Sequence, residues 1–125
     1  MSMKKPTPIQ WPPEPEPHDY PAAGSYLNLI FDDATVATMV KKLKRAPMNE
    51  FKSKDIFRAS GLALLGTNNW HVARNLRKIE RGDKLSPLLL IRDSARGRVL
   101  IADGYHRLCA VYTLDEDAVI PCKIA

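Results

Sequence analysis

Cysteine is scarce in this chain: Cys109 and Cys122 are the only two, too few for a disulfide framework and at no spacing that suits a metal. Reduced thiols in a cytoplasmic protein are the expectation. The three histidines, His18, His71 and His106, lie far apart in the sequence and show no ligand spacing, which argues against a structural zinc. No apolar run reaches the roughly 18 residues that a membrane helix needs, and no leader pattern opens the chain. A membrane is therefore not an expected partner. Aromatic residues make up only 7% of the sequence. None interleaves with the basic segments in a way that offers stacking surfaces to a single strand. Carboxylates do not cluster near the most promising motif, which weighs against metal-assisted hydrolysis.

What is present fits one domain. At 125 residues, with 45% hydrophobic and 26% charged residues, the chain can bury a real core. A net charge of +5 and a pI near 9.4 permit a polyanionic partner without requiring one. The excess sits mid-chain. Residues 41–58 hold seven basic against two acidic side chains and residues 70–98 hold eight against three, whereas both ends are net acidic.

Residues 1–24 read as an extended or disordered arm, because seven of the ten prolines fall there and no periodic apolar pattern does. Trp11 and Tyr20 are its anchors, either onto the domain over residues 25–125 or onto a second copy in a homodimer. Tyr26–Phe31 suggests a strand or an extended lead-in. A helix follows, capped by Asp32 or Asp33, with Val36, Met39, Val40 and Leu43 on one face and Pro47 as its stop. Phe51–Arg58 reads as a strand edging into a turn.

Thr67-Asn68-Asn69 offers the cap of a second helix, with Val72, Ala73, Leu76 and Ile79 inward and Gly82 at its end. Arg74, Arg77, Lys78 and Arg81 recur at helical spacing as a basic stripe. Such a stripe is a candidate nucleic-acid contact, and a solvated face explains it as well. Leu88–Ile91 is a continuous apolar run typical of a strand buried on both faces. A polar turn over Asp93–Gly97 leads to a returning strand, and Val119–Ile124 closes the sheet, with Pro121 suited to an edge or a strand start.

The stretch with chemistry in it is Leu100–Ala110. A short apolar strand meets Asp103, a good helix cap, then Gly104, which lets the backbone turn sharply. Leu108, Val111 and Tyr112 continue at helical spacing. The first amides of such a helix are unpaired and carry partial positive charge, which suits an anion. His106 and Arg107 in the first turn run against the helix dipole at a cost of about 0.3–1 kcal/mol, and an anionic visitor reverses that sign. Asp103 must then cap from the side, hold a divalent metal or act as a base.

The string Asp103-Gly104-Tyr105-His106-Arg107, followed by Ala110 and by Ile120-Pro121-Cys122-Lys123-Ile124, resembles the ParB/sulfiredoxin superfamily. The resemblance spans roughly residues 51–125. It implies a compact α/β (α+β) domain, a small mixed sheet with flanking helices, whose glycine-turn helix holds the phosphates of a nucleotide. Carried over by residue, Gly104, Tyr105, His106 and Arg107 contact phosphate, Arg58 approaches from the first strand, and Asp103 organises magnesium or a nucleophile. Sulfiredoxins place a reactive cysteine where this chain has Tyr105, so sulfinic-acid repair is not expected. No helix-turn-helix module follows the core, so a complete partition protein is not expected either. Two functions follow: nucleotide or phosphate binding, with phosphohydrolase or phosphotransfer activity as its extension, or a nucleic-acid-binding or nuclease module.

Overall fold

In the computed structural model, which describes residues 8–125, the apolar run Leu88–Ile91 sends its side chains alternately to two faces of a sheet. Leu89 and Ile91 join one hydrophobic cluster, and Leu88 and Leu90 the other. That alternation between two covered faces is why the run is apolar throughout. The described elements run α1 (Asp19–Leu27), α2 (Asp33–Arg45), β1 (Asn49–Lys52), α3 (Ser53–Ser60), α4 (Trp70–Glu80), β2 (Leu88–Asp93), β3 (Arg98–Asp103), α5 (Tyr105–Leu114) and β4 (Val119–Ile124). The sheet order is β1-β4-β2-β3. β2 pairs antiparallel with β3 and parallel with β4, and β4 pairs antiparallel with β1. The protein is thus an α/β domain on a mixed sheet, with α1 and α2 on one face and α3, α4 and α5 on the other.

Local signals explain most boundaries. Asp32 accepts the Thr35 N–H at 2.8 Å and starts α2, and Asn69 accepts from His71 and Val72 at 3.0 and 3.2 Å to start α4. Gly82, at φ +78°, turns the chain after α4. At the C-terminus of α2, the buried Lys123 donates to the Lys44 carbonyl at 2.9 Å and meets Glu14 at 3.3 Å, satisfying one of the helix's orphan carbonyls. Burial presses the Lys123 pKa down, but bonds to Tyr20 and Glu14 outweigh it, so the ammonium is held above its usual value.

Four expectations change. The extended arm stops at Asp19: α1 buries Tyr20, Ala23 and Leu27 at helical spacing against the sheet. Tyr26–Phe31 is accordingly the end of that helix and its exit turn, not a strand. Upstream, Ile9 and Trp11 pack on the core and Gln10 bridges to Lys84, while residues 1–7 of the expected arm lie outside the described residues. Phe51–Arg58 is mostly helix, because Ser53, Ile56, Phe57 and Ser60 form one buried helical face. β4 lies inside the sheet; its ladder with β2 begins only at Cys122, so Pro121 has no bond to forfeit on that side. No helix among the described residues is long and apolar enough to cross a membrane.

Candidate functional site

The corner between β3 and α5 is built around Gly104. Its φ of +111° lies where side chains are disfavoured, and a Cβ there would meet the Leu88 Cγ at 2.7 Å and the Arg107 Nη2 at 3.0 Å. The close approach matters as much as the turn. Gly104 itself takes the N-cap position of α5, and no side chain caps the helix. Leu108 is the first residue to bond back, to the Gly104 carbonyl at 2.9 Å, so the opening amides of α5 have no side-chain partner.

Asp103 is therefore not the cap. It ends β3, and its carboxylate accepts from the Arg107 Nη2 at 2.8 Å, one turn into α5. Burial raises the Asp103 pKa despite that ion pair. Arg107 also reaches the Pro87 carbonyl at 3.3 Å. Its Nε–H is fully enclosed and has no acceptor. A buried guanidinium donor left unpaired is costly.

Against this corner lies one face of α4. Together they enclose a cavity of about 230 Å³, walled on the α4 side by His71, Arg74, Asn75 and Lys78 and on the other by the corner from Asp103 to Arg107. Helical periodicity puts those four α4 residues on one face. The His71 and His106 rings, distant in sequence, come to a centroid separation of 4.7 Å. Burial, then His71, then Arg107 each lower the His106 pKa, so its imidazole stays neutral to lower pH than usual. The Tyr105 hydroxyl donates to the Ala63 carbonyl, fixing the start of α5 to the α3–α4 loop, and burial raises its pKa. Among the described residues Arg74 and Lys78 have no carboxylate partner, whereas Arg81 is paired with Asp83 at 2.9 Å.

No family model, curated protein or solved structure matches this chain. The chemistry must be read from the site itself.

Asp103, Gly104, Tyr105, His106 and Arg107, all singled out in the sequence, meet at this cavity. Arg58 does not line it. It sits on the exposed face of α3, because the chain there is helical rather than an extended lead to the corner. The basic stripe is divided: Arg74 and Lys78 line the cavity, while Arg77 and Arg81 do not. Arg77 precedes Lys78 by one residue and so points about 100° further round the helix. His71 and Asn75 were missed by the pattern of charges. The signal was present, since His71, Arg74, Asn75 and Lys78 are spaced by three, four and seven. Nor is the basic region without aromatics: exposed Trp70 opens α4 next to His71, at 5.0 Å between ring centroids. Among the described residues no three metal-ligating side chains converge.

Proposed function

We propose that this chain is a ParB/sulfiredoxin-like domain that binds a phosphate-bearing ligand, a nucleotide foremost, at the Asp103–Arg107 corner. The observation that carries this reading is the convergence of basic groups from two elements on one small cavity. Arg74 and Lys78 come from α4, and His106 and Arg107 from α5. The cavity lies at an uncapped helix start, where backbone amides and the helix dipole add to the same sign of field. Arg107 is paired with Asp103, but Arg74 and Lys78 bring two further positive charges to the cavity with no carboxylate partner among the described residues, a balance that favours an anion. The order strand, glycine turn, helix and closing strand with Ile120-Pro121 supports the superfamily resemblance.

In this reading the amides of Tyr105, His106 and Arg107 cradle the phosphate oxygens. Arg107, held by Asp103 and the Pro87 carbonyl, adds its charge at the corner, and Arg74 and Lys78 close from α4. Asp103 orients Arg107 rather than serving as a free base. Magnesium would arrive on the nucleotide's own phosphates, since the protein side contributes only Asp103 as a nearby carboxylate.

Calorimetry with ATP, ADP and CTP tests the proposal. Binding is expected in the wild type and lost in Arg107→Ala. His106→Gln and Lys78→Ala, which remove less buried groups, are expected to weaken it by about ten-fold each while the fold persists. Unchanged binding in all three variants would place the site elsewhere.

A further inference from the structure

We infer that the cavity is one station of a longer groove that takes a short single-stranded nucleic-acid segment, not only an isolated nucleotide. This rests on the phosphate-binding reading and names the ligand class more narrowly. On the other side of Arg107 lies a second cavity of about 250 Å³, a second lobe that shares Asn75, Lys78 and Arg107 with the first. Lys84 and His18 bring two more basic groups to that lobe. Of its two acids, Asp19 is already committed: buried, it accepts the Glu16 N–H at 3.1 Å and the Ser86 hydroxyl and lies 3.4 Å from the His18 Nε2. Glu16 is exposed.

Next to His71, at the start of α4, stands an exposed aromatic. Trp70 is 61% exposed, with the Arg74 guanidinium 5.5 Å from its ring centroid. From Trp70 the rings continue through His71 and His106 to Tyr105, at centroid separations of 5.0, 4.7 and 5.7 Å. The exposed Trp70 face beside Arg74, with Lys78, Arg107 and Lys84 further along, matches what a single strand presents, bases on one side and phosphates on the other. A duplex hides its base faces in its own stack and would leave Trp70 unused. A mononucleotide fills the first lobe and leaves Lys84 unused. The axial run from Trp70 to Lys78 is about 12 Å at 1.5 Å per residue, room for more than one phosphate at a rise of roughly 3.4 Å each.

The test uses the full chain and four probes: inorganic phosphate, adenosine monophosphate, a labelled single strand of about eight nucleotides, and the same sequence as a duplex. The strand is expected to bind at least about ten-fold more tightly than the monophosphate. Its log–log salt slope should lie near −2, about 0.7 for each of three phosphates. Trp70→Leu should weaken the strand by about ten-fold, and Lys84→Ala should flatten its salt slope by about 0.7. Neither should alter the response of the His106 and Arg107 resonances to inorganic phosphate. The inference falls if phosphate binds at the corner but the strand binds no tighter than the monophosphate, if the duplex binds as well as the strand, or if both variants leave the strand unaffected. If inorganic phosphate and adenosine monophosphate both fail to reach the corner, the phosphate-binding reading falls with it.

Discussion

The two faces of the sheet treat charge differently. On the α1–α2 face Lys123 is buried, yet it has the Lys44 carbonyl and Glu14 as partners, and Asp19 is buried with Ser86 and the Glu16 amide. Each polar group there is spent on holding one element to another. On the α4–α5 side Arg74 and Lys78 face a cavity without acid partners among the described residues, and Arg107 keeps an enclosed Nε–H with nothing to bond. Buried polar groups that are satisfied stabilise a fold. Positive groups left unpaired beside a cavity do nothing of that kind for the fold, and they are what the proposed site rests on.

The sharpest way to break this contrast uses two glycines. Gly104→Ala forces a side chain into a positive-φ corner and against the Leu88 Cγ at 2.7 Å. It should cost about 3 kcal/mol or more in denaturant unfolding. Gly24→Ala, inside α1, places its methyl in ordinary contact with Val36 and Val40 at 3.8 and 3.7 Å. It should instead stabilise by about 0.5–1 kcal/mol. Equal effects at the two positions would mean that the corner relaxes to accept a side chain.

Removing charge separates the faces next. Lys123→Ala should lose about 2 kcal/mol of unfolding free energy, because a buried charged donor and its carbonyl partner are both abandoned. Arg74→Ala and Lys78→Ala should stay within about 0.5 kcal/mol of wild type in the same measurement, yet weaken nucleotide binding. A large stability loss in either α4 variant would give those cations a structural role and undo the contrast.

The smallest expected effect is in pH. His106 is kept neutral in the free protein by burial, His71 and Arg107, and a bound phosphate favours its charged form. Binding therefore takes up a proton. Affinity should rise as pH falls from the bound-state pKa to the free-state value, which lies below 6.5, and level off beneath it. A phosphodiester is the ligand to use, since a monoester has its own ionisation near pH 6. His106→Gln should flatten the profile. A profile that survives that substitution assigns the proton to another group.

How much of this could be read without coordinates varies by element. The caps at Asp32 and Asn69, the alternating run at Leu88–Ile91 and the glycine before His106 are local signals, and each marked its element. α1 was hidden because proline-rich surroundings outweighed a helical set of only three buried residues, Tyr20, Ala23 and Leu27. α3 was hidden because its first residues follow directly on β1, and an alternating and a helical pattern are hard to separate over so short a span. The site was half legible. Asp103 to Arg107 stood in one string, whereas His71 and Asn75 belong to it only through the approach of α4 to α5.

The order of residues alone determined the corner: a glycine where the backbone turns left-handed, and two basic side chains placed within the next turn. Their spacing is covalent and local, so no partner element was needed to bring them together. Tertiary packing decided what the corner faces. Which side of α4 turns inward, whether Asp103 caps the helix or holds Arg107, and where Arg58 ends up all follow from burying Val72, Ile79, Ile56 and Phe57 against the sheet. That burial is a sum over many distant contacts, and it sets the direction of every polar group on the opposite side of those helices.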